Sequence, residues 1–191
     1  MRLRSRRFAV FATAVVTAFA VLAVWIIAGT VSRAPGEKNR AGVPRYATVE
    51  IGPSGLAIPV PGIRAGQLVD SYDQHYGLDI LAPAGTPVVA AAPGHVERLS
   101  DSPGAYGITA SIRSHDGRWV YFYAHLQGYP PGLSQGQRVE RGQVIGRVGS
   151  TGSASPRGPH LHFEIRRVSE EQPGSQGTAV DPYPLLTGRR S

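Results

Sequence analysis

The sequence predicts an all-β domain, a small antiparallel sheet folded as a barrel-like sandwich, preceded by one N-terminal transmembrane helix. Three observations predict it. From Tyr46 onward, short apolar runs recur between clusters of Gly, Pro, Asp and Ser, the pattern of sandwich and barrel strands. The 24 Gly and 16 Pro fall largely in turn-like contexts, which favours strands and loops over long helices. Ahead of this region, residues 8 to about 28 are apolar and uncharged, and roughly 20 such residues cross a ~30 Å hydrocarbon core as a helix.

Taken in order, Arg2, Arg4, Arg6 and Arg7 precede the apolar stretch and Trp25 lies near its far end. Basic residues hold the cytoplasmic side and Trp suits the interface. A cleavable signal carries an apolar region of only about 7–15 residues, so residues 1–30 read as a basic stub and a signal anchor. The expected location is the cell membrane, single-pass, with the following domain extracytoplasmic. Ala28, Gly29 and Thr30 also offer small residues for cleavage, and secretion is the alternative; Arg33, Lys38, Arg40 and Arg45 weaken the charge asymmetry. Residues 31–45 lack periodicity and form a linker.

Residues 46–188 form the β domain. Its apolar runs are 56–60, 78–81, 87–92, 108–112, 119–124, 144–148 and 161–165. Ser114-His115-Asp116-Gly117 between two of them signals a hairpin turn. Asp181-Pro182-Tyr183-Pro184 cannot continue a central strand and closes the fold. No long helical segment, heptad or internal repeat follows the anchor.

Composition narrows the function. The net charge is +7, but without the four leading arginines 16 basic residues face 13 acidic ones. The excess belongs partly to targeting, and nucleic acid is not an expected partner. The chain has no cysteine, which excludes disulfides, a thiol nucleophile and thiolate metal ligands. The Gly-rich loop 150–159 lacks the pattern of a phosphate-binding loop.

Five polar residues carry the chemistry: His75, Asp79, His125, His160 and His162. Histidine and carboxylate are usual Zn²⁺ ligands, and three of them plus an open position make a catalytic site. Two histidines then remain to move protons. On a strand, His160 and His162 share one face about 6–7 Å apart, while Leu161, Phe163 and Ile165 take the other. His75 and Asp79 would lie roughly 13 Å apart on a straight strand, so the chain must bend between them, and Gly77 sits midway. His125 ends the run Trp119-Val-Tyr-Phe-Tyr-Ala; alternation places it with Tyr121 and Tyr123 on one face, as a substrate cleft or as simple packing. His95 and His115 fit solvated turns.

The combination resembles a known family, the zinc endopeptidases of the lysostaphin/LytM type, which cut peptidoglycan peptides and share a duplicated-hybrid-motif fold. The resemblance rests on His75-Tyr-Gly-Leu-Asp79, Tyr123-Ala-His125-Leu126 and His160-Leu-His162-Phe-Glu164. Ala82-Pro-Ala-Gly-Thr-Pro-Val-Val-Ala and Gly142-Gln-Val-Ile-Gly-Arg-Val-Gly-Ser-Thr-Gly link them. It covers about residues 55–185. It implies one zinc ion on His75, Asp79 and His162, with His125 and His160 facing the reacting water and the scissile carbonyl. It also implies a monomer acting on peptidoglycan. One departure stands out: the loop 150–159 is about two residues longer than usual and contains Arg157, which joins Tyr121 and Tyr123 as a candidate groove residue. Some members of such families lose catalysis and regulate other wall hydrolases. They usually lack one or more of the five residues, and all five stand here. An inert wall-side anchor, the third reading, would leave them unexplained.

Overall fold

The computed structural model describes residues 49–190, apart from residue 103. The stretch 8–28, read as a transmembrane helix, lies outside them, as do the linker 31–45 and the expected start of the domain at residue 46. Among the described residues no helix is long and apolar enough to cross a membrane.

The described strands are β1 (Leu78–Leu81), β2 (Pro87–Val89), β3 (Gly94–Ser100), β4 (Ile108–Ser114), β5 (Trp119–Gly128), β6 (Arg138–Val139), β7 (Val144–Val148), β8 (His160–Arg167) and β9 (Thr178–Val180). All pair antiparallel in one sheet ordered β1-β8-β5-β4-β3-β6. β2 and β7 form an arm that joins β5, and β9 flanks β8. Two short helices, α1 (Tyr72–His75) and α2 (Pro182–Thr187), complete the fold. The antiparallel all-β expectation holds.

Alternation gives the sheet two unlike faces. Leu78 and Ile80 on β1, Tyr121 and Tyr123 on β5, and Leu161, Phe163 and Ile165 on β8 point into one core with Ile58, Val88, Ile145 and Leu186. Burying a side chain of this size is worth about 1.5–3 kcal/mol, so the register is strongly specified. The opposite face collects polar groups, because the register sets Asp79 against His162, Ala124 against His162 and Phe122 against Glu164.

Several local expectations change. The run 56–60 is core-packed chain with only a bridge from Ala57 to Ile51, not a strand. His95 lies within β3, not in a turn, because Gly94 and Val96 bury the alternate positions. His115 does occupy the exposed β4–β5 turn. The segment after Asp181 is helical: Pro182 opens it, the Tyr183 N–H donates to the Asp181 carboxylate at 2.8 Å, and left-handed Gly188 ends it, which is ordinary helix punctuation.

Candidate metal centre

His75 arrives on the single turn of α1. The Asp70 carboxylate accepts the Tyr72 N–H at 3.1 Å to start the turn, and Tyr76, in the left-handed region at φ 61°, stops it. The Asp79 N–H donates to the Ser71 hydroxyl at 3.1 Å, and that hydroxyl donates to the Gly77 carbonyl at 3.3 Å. The bend that the sequence placed at Gly77 is thus made by α1 and Tyr76. Gly77 serves clearance instead: a Cβ there would strike Cε1 of His162 and come within 2.8 Å of its Nε2.

The result is that His75 Nε2 lies 3.1 Å from Asp79 Oδ2, and His162 Nδ1 lies 3.0 Å from Asp79 Oδ1. Among the described residues these three are the group whose ligand atoms all fall within 4.8 Å of one another. Nitrogen and oxygen donors about 2.0–2.1 Å from a tetrahedral ion stand about 3.3 Å apart. The observed separations fit one divalent metal.

His162 is buried, and burial alone would lower its pKa. Hydrogen bonds to Asp79 and to Glu164, whose Oε1 lies 2.9 Å from Nε2, outweigh burial and push it up to about 9. Burial works against ionised Asp79, but the His162 hydrogen bond and the charges of His160 and His75 hold it below the usual carboxylate range. Glu164 is likewise held low against burial by His162 and Arg166. A ring paired with two carboxylates marks a position built for positive charge.

The other two histidines flank this cluster. His160 Nε2 is 3.7 Å from Asp79 Oδ2, while its Nδ1–H donates to the Gly158 carbonyl at 2.9 Å. His125 donates Nδ1–H to the Thr151 carbonyl at 2.8 Å. A carbonyl only accepts, so both Nδ1 atoms carry protons, and neither Nε2 makes a hydrogen bond among the described residues. Burial lowers the His125 pKa, which favours its neutral form. The two rings stand 4.9 Å apart between centroids. Strand alternation alone would turn His125 into the core. Its φ of 57°, at an irregularity in the β4–β5 pairing, turns it onto the polar face.

All five residues line a cavity of about 380 Å³, with Tyr106 and 153–155. The candidate groove residues fare differently. Tyr123 is fully buried and its hydroxyl accepts the Ala91 N–H at 2.8 Å; Tyr121 is in the same core. Both belong to packing, because the twist at His125 separates them from the site face. Arg157 is exposed on its loop and does not line the cavity. The residues that do extend the site are Tyr106 and Phe122, with ring centroids 5.0 Å apart. Tyr106 also lines a groove of about 940 Å³ that continues past Phe122 and Arg166. Arg113 and Arg166 hold the wall of that groove by donating to the carbonyls of Gln172 (2.6 Å) and Ser175 (2.9 Å). Tyr106 carries no motif signal, whereas Glu164, two residues after His162 on a strand, could have been read from spacing.

A single antiparallel sheet, joined by His75 from α1, thus gathers a His-Asp-His cluster and two further histidines on its polar face, a donor set of the kind that holds one metal ion. The chain belongs to peptidase family M23, whose model matches residues 73–182. It is 40% identical over 127 residues to the DD-carboxypeptidase/endopeptidase Mpg of Neisseria meningitidis serogroup B, covering 66% of this chain and 27% of that one. It is 39% identical over 118 residues to the L-Ala–D-Glu endopeptidase of Bacillus subtilis, covering 59% and 34%. The chain therefore spans about a third or less of these curated relatives. The solved catalytic domain of lysostaphin from Staphylococcus simulans superposes with a TM-score of 0.51 at 37% identity, covering 59% of this chain and 78% of that one.

Proposed function

We propose that this domain is a zinc-dependent endopeptidase that hydrolyses peptide bonds in the stem or cross-bridge peptides of peptidoglycan. The observation that carries the reading is the meeting of His75, Asp79 and His162 within ligand distance of one another, in one cavity with two histidines whose Nδ1 atoms are tied to carbonyls and whose Nε2 atoms make no hydrogen bond among the described residues. Family membership and the names of the relatives agree with it. His75 through Nε2, Asp79, and His162 through Nδ1 would hold one zinc ion. Bound there, zinc would acidify water and polarise the scissile carbonyl.

The chain's own residues supply the rest. His125 and His160 have rings 4.9 Å apart; one takes a proton at Nε2 from the attacking water, and the ring so protonated donates that N–H to the developing oxyanion and then passes the proton to the leaving amine. Neutral His125 suits the accepting role. The cavity and the adjoining groove share Ala105 and Tyr106 in their walls, which supports the groove as the place where the rest of a bound peptide would lie. The apolar stretch 8–28, with Arg2, Arg4, Arg6 and Arg7 before it, supports attachment to the cell membrane with the domain outside, with processing and secretion as the alternative; the proposed enzyme is a monomer.

Digestion of purified peptidoglycan tests the reading. New amino termini released by the native protein, and not by His162→Ala, support it. Intact peptidoglycan from several wall types, despite full zinc occupancy, refutes it and favours a regulatory module.

A further inference from the structure

Resting on the zinc reading above, we propose that Glu164 is a positioning residue, clamped by Arg166, which takes the Nε2–H of His162 and so commits Nδ1 to the metal cluster.

Glu164 has no part in the chemistry described so far, and it is costly where it stands. Its side chain is only 2% exposed, and a buried carboxylate without partners is strongly unfavourable. Both oxygens are engaged, each on a different task. Oε1 lies 2.9 Å from His162 Nε2. Oε2 accepts from Arg166 Nη2 at 2.6 Å and Nε at 2.7 Å. His162, Glu164 and Arg166 alternate along β8 and therefore share the polar face.

The geometry fixes a tautomer. An ionised carboxylate only accepts, so Nε2 of His162 must carry its proton. The neutral ring then has its lone pair on Nδ1, the nitrogen 3.0 Å from Asp79 Oδ1. The reverse tautomer would set a lone pair against Glu164. Gly77 lies close against the Cε1–Nε2 edge of the ring and Tyr106 stands 5.6 Å from it, so the ring is wedged as well as bonded. Metal-binding histidines that donate their second N–H to a carboxylate are oriented and made more basic by it.

Arg166 completes the device. It also donates to the Ser175 carbonyl at 2.9 Å, and this ties Glu164 to the groove wall. Glu164 is thereby held from the side opposite His162, so its oxygen cannot swing away from Nε2.

The test is zinc affinity, measured on the full chain by competition with a chromophoric chelator, together with the visible spectrum after cobalt substitution. Glu164→Ala is expected to weaken zinc binding about 10–100-fold and to alter the cobalt spectrum. Glu164→Gln keeps an acceptor for Nε2–H and is expected to recover part of the affinity and the native spectrum, whereas Glu164→Met, which refills the volume without an oxygen acceptor, is not. Should Glu164→Ala fail to fold, Glu164→Gln alone decides, with a weaker zinc Kd expected from the lost charge. Native affinity and spectrum in the folded variants overturn the role of Glu164 alone. Failure of the native chain to take up one equivalent of zinc overturns the zinc reading, and this role with it.

Discussion

Asp79 and His162 stand directly opposite one another on β1 and β8, and their side chains meet at 3.0 Å across 83 positions of sequence. The contact is a consequence of register. Leu78, Ile80, Leu161 and Phe163 are buried on the far side of the same two strands, so a slip by one residue would expose them all. The core therefore aligns the cluster, and the cluster can be probed without dismantling the core.

Asp79→Asn and His162→Ala are expected to weaken zinc binding by more than the roughly 10–100-fold that loss of an outer partner costs. Peptide cleavage should vanish in parallel. Metal content after dialysis checks this, and a His162→Ala protein that keeps one zinc would contradict it.

His125→Ala and His160→Ala separate chemistry from metal binding. Each should retain one zinc while turnover falls about 10²–10⁴-fold, the usual worth of a positioned acid or base. Because the rings form one unit 4.9 Å apart, the double variant should lose much less than the product of the two. Loss of zinc from either single variant would assign it to the ligand set instead.

Gly77→Ala places a methyl against the edge of His162. Forced overpacking typically costs about 1–3 kcal/mol, and here it should appear as weaker zinc binding as well as a lower Tm. A variant with native zinc affinity would show that the ring has room to move.

Tyr121 and Tyr123 report on the core through alkaline pH. Burial, then the charge of Asp116, pushes the Tyr121 phenol up to about 12, and burial raises Tyr123 as well. The unfolded chain ionises these phenols near pH 10, so their contribution to stability is complete below pH 10 and is lost as pH rises from there through 12. In an absorbance titration, two of the eight tyrosines should ionise only with cooperative unfolding. Eight phenols titrating near pH 10 in a folded protein would place both outside the core.

Tyr106→Ala should lower kcat/KM about tenfold or more, since Tyr106 lines both the metal cavity and the adjoining groove and pocket contacts of this size are worth about 1–3 kcal/mol. Arg157→Ala, on the exposed loop, should stay within about twofold. Peptide kinetics distinguish the two; equal losses would return Arg157 to the groove.

Much of this was legible in the sequence because it follows from period and composition. The alternation of His160-Leu-His162-Phe-Glu-Ile reads directly as a strand with a polar and an apolar face, and the structure has that strand. The 114–117 turn was equally plain. β3 was not, since Glu97, Arg98 and Ser100 break its apolar run and its burial comes from neighbours supplied by tertiary pairing. Tyr121 and Tyr123 were misplaced for a sharper reason. Alternation along β5 fails at His125, whose left-handed φ is a single-residue event with no periodic trace. Tyr106 belongs to a loop, and only the fold brings it to the cavity. The short helix α2 was readable from Asp181, Pro182 and Gly188, but six residues carry too little periodicity to announce it.

The most direct measurement is zinc titration of chelated protein while peptidoglycan cleavage is followed by new amino termini. The expected result is activity that rises linearly, levels at one equivalent, and stays absent in His162→Ala throughout. Cleavage that persists under the chelator, or one bound zinc with no cleavage, would contradict a one-metal centre built on His75, Asp79 and His162.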